Sequence, residues 1–348
     1  MRLIVIIPAY NEETTIADVI REVPRSLHGI DDVKVLVYND GSTDRTVDVA
    51  HTAGADFVYS HPKNKGLAVT FKDALWKALQ HGADVIVNTD ADNHYDQSRI
   101  GELVAPVVAG EADVVIGSRN VKDLREMPFL NRNLNRIGSF LMTSFVGLPR
   151  MDVSTGFRAY SREAALSLGV YSLHTYVHTT LLSAQDLHLT IREVAIPARP
   201  VSRKSRLIKN IPDHLWKAGI NIVRNIVLFR PLRFFGSVAV VLSAIGSVAI
   251  LRFVYFFVFS DGKGHIQSLV LGGVFLIIGF NCLMLGMIGS SIGWSRKVSE
   301  EILTFIKKNS LNTPEPIVPA ASQGQPSTYK AHSEDEVKER LKALGYIE

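Results

Sequence analysis

The stretch NTDADNHYD (88–96) sets two carboxylates, Asp90 and Asp92, two residues apart, directly after the apolar run ADVIV (83–87). In extended chain, side chains at i and i+2 point to the same side. Such a pair could share one divalent cation and the oxygens of a diphosphate. Mg²⁺ or Mn²⁺ suits this chemistry, since both take hard oxygen ligands and need few from the protein. His94 could add a nitrogen donor, which Mn²⁺ tolerates. The alternative is a solvated loop after a strand.

Two further polar stretches could meet this pair. In PAYNEE (8–13), Tyr10 could stack on a base and Glu12 could accept from a base or ribose; equally, Asn11 or Thr14 could cap a helix. In YNDGSTD (38–44), Asp40 could hold a base or ribose hydroxyl, or the stretch could be an ordinary turn of Asn, Asp, Gly and Ser.

The elements that must position these residues are legible as short apolar runs between amphipathic stretches. RLIVIIP, KVLVYND, ADFVYS, ADVIVNTD and ADVVIGSR read as strands; 14–23, TVDVAHTAG and LAVTFKDALWKALQHG read as helices. This alternation predicts an α/β fold with a mostly parallel sheet covered on both faces. Ligands of such sheets sit beyond the carboxyl ends of the strands, where residues 10–12, Asp40, 90–94 and Arg119 emerge.

The chain has 348 residues, with 38 Lys plus Arg against 34 Asp plus Glu, so no strong charge field points to nucleic acid. One cysteine, Cys282, excludes a disulfide framework and a cysteine metal cage. Residues 234–251 carry no charge and continue past Arg252 as FVYFFVFS, and residues 266–294 are uncharged throughout. Both are long enough to cross a hydrocarbon core, which takes about 20 apolar residues. They predict a two-span hairpin joined by DGKGH. Basic residues collect before the first span (Arg199 through Arg233) and after the second (Arg296, Lys297), which predicts cytoplasmic flanks and a cytoplasmic main domain. Leu3–Ile7 is too short for a cleavable signal.

The expected organisation is a main domain over 1–205, a juxtamembrane amphipathic helix over 206–233, two spans over 234–294 and a tail over 295–348. FLNRNLNRIGSFLMTSFVG (129–147) and the 206–233 segment mix cations with Leu, Ile and Phe, as helices lying in the membrane interface do. NTPEPIVPAASQGQPST reads as a disordered linker, and SEDEVKERLKALG as a short capped helix. His174 and His178 at i, i+4, with Asp186 and His188, raise a second metal site, but without HExxH they read as ordinary helix positions.

Taken in order, PAYNE, NDGSTDRT, NKGLAVTFKDAL, DAD, GSR and DVSTGF resemble the family-2 glycosyltransferases over roughly residues 2–205. That resemblance implies a nucleotide-sugar-binding GT-A type domain. With the hairpin and interfacial helices, the chain is similar to the polyprenyl-phosphate group of the family; QxxRW, usual in processive synthases, is absent.

The resemblance implies that Pro8, Tyr10, Asn11, Glu12 and Asp40 hold the nucleoside, and that Asp90, Ala91 and Asp92 hold the diphosphate. The metal would be Mg²⁺ or Mn²⁺ on Asp90 and Asp92, with His94 standing where relatives often carry Gln. Asn39 stands where relatives carry the Asp preceding Asp40. Arg119, Arg132 and Arg136 would bind the phosphate of a polyprenyl (dolichyl or undecaprenyl) acceptor, and Arg203, Ser205 and Arg206 would form a loop closing on it. Guanidinium groups bind phosphate oxygens bidentately. Asp152 and Thr155 could line the acceptor side.

The implied reaction is inverting transfer of one sugar from a UDP- or GDP-linked donor. A homo-oligomer through the hairpin is implied by resemblance alone. Two other readings stay open: transfer to a non-phosphate lipid or glycan, with Asp152 as base, and a non-catalytic membrane scaffold or sugar-nucleotide sensor.

Overall fold

A computed structural model of the chain describes residues 1–118, 155–170, 176–196, 199, 220, 223–224, 226–259 and 265–312. Strands β1 (Arg2–Ala9), β2 (Asp32–Asn39), β3 (Phe57–Ser60), β4 (Val85–Asn88), β5 (Val114–Ser118), β6 (Arg158–Ser161) and β7 (Ile191–Ala195) form one sheet among the described residues. Their order is β3-β2-β1-β4-β6-β5-β7. All pair in parallel except β6, which runs antiparallel between β4 and β5.

The central strands β1, β2 and β4 are mostly apolar because both of their faces are covered. Leu3, Val5 and Ile7 of β1 enter one core with helices α1 (Ile16–Glu22), α2 (Thr46–Thr52) and α4 (Ile100–Val108). Ile4 and Ile6 enter the other, with α3 (Leu67–Gln80), α5 (Arg162–Ser167) and α6 (Val177–Asp186). A strand so placed has no polar side to show. Helix α3 buries Phe71, Ala74, Leu75, Ala78 and Leu79, the three- and four-residue spacing of a helix stripe.

Two helices leave this body. Helices α7 (Pro231–Phe259) and α8 (Ile266–Asn312) are apolar enough to cross a membrane, and only 11% and 17% of their most apolar windows are buried. Core helices of a soluble protein would be covered; these present Val240, Val248, Phe259 and Leu285 outward, which suits lipid. At 1.5 Å per residue, α8 is about 70 Å long and outruns a hydrocarbon core of about 30 Å. It runs unbroken through the boundary expected after residue 294 and reaches the α/β body, where Lys307 Nζ donates to the Leu166 carbonyl at 3.3 Å and Leu311 packs on the α3/α6 core.

Ile226 and Phe229, just before α7, are buried in that same core. Arg230 and Arg296 both pair with Asp186 at the end of α6, at 2.6 and 3.5 Å, and Arg296 also meets Glu300 at 3.2 Å. Asp186 is thus an ion-pair anchor between body and spans. Among the described residues no three His, Cys, Asp or Glu gather as a metal set. His178 and Asp186 lie on α6, whereas His188 lies past its end with φ +56° and is not a helix position. The expected interfacial helix over 129–147, His174, the linker and the terminal helix lie outside the described residues.

Candidate active site

The loops after β1, β2 and β4 meet at one rim. The Thr43 amide donates to Asn11 Oδ1 (2.9 Å), the Asn11 amide to Ser42 Oγ (2.9 Å), the Glu12 amide to Thr46 Oγ1 (2.9 Å) and the Arg45 amide to Glu13 Oε2 (3.0 Å). Asn11 takes φ +55°, a left-handed conformation that Asn tolerates better than most residues. The two stretches that sequence could only set side by side are therefore laced together. Asn11 does the lacing, while Tyr10, 42% exposed, is left open to the rim.

Thr15 ties this pair to the third loop. Its hydroxyl lies 2.8 Å from the Ala91 carbonyl and 3.1 Å from Glu12 Oε2, and its single hydrogen serves one acceptor at a time. Glu12 and the Asp90–Asp92 turn are thus neighbours. Asp44 braces the corner: burial pushes its carboxyl up, but hydrogen bonds from the Thr46 hydroxyl and the Thr46 and Glu13 amides outweigh this and hold it below the usual carboxylate range.

Asp90 and Asp92 are not a matched extended pair. The chain turns at 91–92, and Asn93 takes φ +57°. Asp90 is half-buried against Gly156, whereas Asp92 is exposed and accepts from the His94 amide at 3.1 Å. Ala91 between them is buried. The His94 ring packs edge-on to Tyr95, with centroids 5.3 Å apart. His94 therefore braces Asp92 through its backbone amide.

Asp40 is also held in place. Its carboxylate accepts from the Lys65 and Gly66 amides at 2.9 Å each and meets His61 Nδ1 at 2.9 Å, and the side chain is 5% exposed. It holds the 63–66 loop against the rim. Gly41 beside it has φ +69°, and a Cβ there would lie 2.6 Å from the Lys63 carbonyl carbon, so this turn requires glycine. Pro8 is buried in β1 opposite Tyr38, where it shapes the strand end.

Several site residues gave no signal of their own in the sequence. Tyr95, buried and stacked on Phe157 at 5.0 Å, takes hydrogen bonds from Thr155 Oγ1 and the Gly156 amide, both at 3.2 Å. Thr155 is consequently buried and does not line an open acceptor side. Asn88 Nδ2 reaches the Gly156 carbonyl and the Tyr176 hydroxyl, each at 2.7 Å. Burial and then the Asp90 charge push the Tyr176 phenol well above its ordinary pKa, so it stays neutral. Arg119, Arg132, Arg136, Asp152, Arg203, Ser205 and Arg206 lie outside the described residues.

The donor set suits a hard divalent cation. Two carboxylates, one sheltered and one open, are as many protein ligands as such an ion uses when substrate phosphates complete its shell.

An open, mostly parallel α/β sheet with an acidic turn at its carboxyl rim is a GT-A-like fold. The glycosyl transferase family 2 model matches residues 4–169. A dolichyl-phosphate hexose transferase of Haloferax volcanii is 33% identical over 210 residues, 59% of this chain and 86% of that protein. An undecaprenyl-phosphate mannosyltransferase of Micrococcus luteus is 29% identical over 64% of this chain and 93% of its own. The fold is also that of glucosyl-3-phosphoglycerate synthase from Mycobacterium tuberculosis, crystallised with Mn²⁺, UDP-glucose and phosphoglyceric acid (TM-score 0.50, 23% identity, 65% and 78% of the two chains). The chain belongs to glycosyl transferase family 2 and is a glycosyltransferase.

Proposed function

We propose that the protein transfers one sugar from a nucleotide diphosphate sugar to a polyprenyl phosphate at the membrane surface. One observation carries the reading: the acidic rim and a lipid-facing hairpin belong to a single compact unit, riveted at Asp186. A soluble acceptor would need no such hairpin. The similarity to transferases named for dolichyl and undecaprenyl phosphate supports the same acceptor class.

In this reading Tyr10 and Glu12 contact the nucleoside, with Asn11, Pro8 and Asp40 shaping the loops around them. Asp90, the Ala91 backbone and Asp92 face the diphosphate. A Mg²⁺ or Mn²⁺ ion on Asp90 and Asp92 would supply countercharge to the leaving diphosphate. A lipid phosphate oxygen forms the new bond to the anomeric carbon as the bond to the diphosphate breaks, and the anomeric centre inverts. The nucleophile is already ionised at neutral pH, so no strong base is required. Positioning and charge stabilisation do the work. Arg119, Arg132 and Arg136 are assigned to the lipid phosphate, and Arg203, Ser205 and Arg206 to a closing loop. The basic flanks of the spans support a cytoplasmic rim and cytoplasmic termini.

The test incubates membranes holding the protein with labelled UDP- and GDP-sugars and polyprenyl phosphate. Metal-dependent label in the lipid extract, lost in Asp92→Asn, is expected. Transfer that proceeds without any lipid phosphate would overturn the acceptor assignment.

A further inference from the structure

A cavity of about 300 Å³ lies between the helical residues before α7 and the middle of α8. Its walls are Val227, Leu228, Ile292 and the bare backbone of Gly289 and Gly293, and its charges are Arg224 and Arg296. The volume is at the lower end of small-ligand sites, roughly 300–1,000 Å³. An open apolar groove with arginines at the edge has the two-part character of a lipid site.

Three observations choose the occupant. First, Trp294, 72% exposed, follows Gly293 by one residue, and Arg296 and Lys297 come next. Aromatic and basic residues at the end of a span mark the headgroup level, so the cavity sits where acyl chain meets phosphate. Second, the two arginines are not equivalent. Arg296 is committed to Asp186 and Glu300 and stacks over Phe229 at 4.4 Å. Arg224 is exposed and has no acidic partner among the described residues, so a net positive charge remains for an anion. A choline or ethanolamine headgroup would bring a second cation to it; a headgroup without one would not. Third, the cavity adjoins the Asp186 end of α6, whereas Tyr176, beside Asp90, immediately precedes the other end. Ten residues of helix separate the two ends by about 15 Å. A phosphate bound here cannot be the nucleophile at the Asp90 rim.

We infer that this cavity is a second lipid site, which takes an anionic phospholipid of the surrounding leaflet and not the sugar acceptor. The inference shares with the functional reading only the placement of α7 and α8 in a membrane. Its test involves no sugar transfer, so the two can fail separately.

The full chain, purified in detergent, is titrated with phosphatidylglycerol or phosphatidylcholine, and retained lipid is measured by native mass spectrometry. Wild type is expected to retain phosphatidylglycerol preferentially. Arg224→Gln should weaken that binding about fivefold, equivalent to ~1 kcal/mol. A Cβ at Gly293 meets no atom within 4 Å, so Gly293→Phe should fill the cavity and abolish retention. Gly273→Phe, elsewhere on α8 and equally unobstructed at Cβ, should change nothing. Equal retention of both lipids by wild type, or unaltered retention in both cavity variants, would overturn the inference. So would variants that lose polyprenyl phosphate binding while keeping phosphatidylglycerol, since the cavity would then hold the acceptor's chain.

Discussion

The Tyr176 hydroxyl and the Asp90 carboxylate converge on one point beside Gly156. A Cβ built on that glycine would lie 2.8 Å from the phenol oxygen and 2.9 Å from Asp90 Oδ1. The sheltered half of the acidic pair therefore depends on a residue with no side chain, 66 positions further along the chain.

Gly156→Ala should displace Asp90 and also press on the buried Tyr176 hydroxyl. A misplacement of about 1 Å at a reacting centre can cost roughly 10²-fold in rate. Initial rates across a metal titration should show kcat reduced on that order, and overpacking should lower stability by about 1–3 kcal/mol. A variant with wild-type kcat would mean Asp90 need not hold this position.

Tyr176→Phe removes the acceptor of one Asn88 hydrogen bond and leaves the amide with the Gly156 carbonyl alone. The loss of a buried hydrogen bond with one partner left behind costs about 1–3 kcal/mol. Denaturant unfolding should report a drop in that range. Wild-type activity should also show no ionisation of this phenol near pH 10, because burial and Asp90 both raise its pKa.

Five of the seven described strands were legible in the sequence as short, mainly apolar runs, those at the sheet's centre because they are covered on both faces. Two central elements were not. Strand β6 opens on Arg158, which is fully buried and donates to the Val177 carbonyl at 2.7 Å and Thr180 Oγ1 at 3.0 Å. A charged residue in a central strand defeats any reading based on polarity. Helix α4 contains Pro106, the residue that ordinarily marks a helix boundary. The site divides in the same way. Acidic turns were visible as motifs, but the braces that aim them are single side chains from remote segments: Thr15 on the Ala91 carbonyl, Tyr95 on Gly156, Tyr176 beside Asp90. The contacts of Asp40 were hidden for a related reason. Its neighbours in sequence do not reveal that the 65–66 amides and His61 already occupy it.

Thr15→Val should loosen the rim without emptying it. The hydroxyl is replaced by a methyl of similar shape, and the Ala91 carbonyl loses a 2.8 Å donor. A stability loss of about 1 kcal/mol is expected, with a larger proportional rise in donor KM than fall in kcat. Isothermal titration with the nucleoside diphosphate would measure it; unchanged affinity would detach Thr15 from the donor site.

Asp186→Asn should weaken the junction between the body and the spans. Asp186 is 8% exposed and faces two arginines, which would be left without their shared countercharge. Removing one partner of a buried pair costs about 3–5 kcal/mol, and the partial exposure of Arg230 reduces this to about 2 kcal/mol. Thermal unfolding in detergent should detect the loss, and limited proteolysis should cut near residue 230 sooner than in wild type.

Acid sensitivity should be traceable in part to Asp44. Its folded-state pKa is depressed by the Thr46 and Glu13 hydrogen bonds despite burial. A depressed carboxyl contributes stability that is present above its unfolded pKa and is lost as pH falls through the folded value. Below that value the carboxyl is protonated in both states and the contribution is gone. Asp44→Asn should therefore lower the melting temperature at neutral pH, with the gap from wild type closing as pH is taken below the ordinary carboxylate range. Melting curves of both proteins at stepped pH would measure that gap. A gap of constant size at every pH would assign the effect to packing at the corner and not to the charge of Asp44.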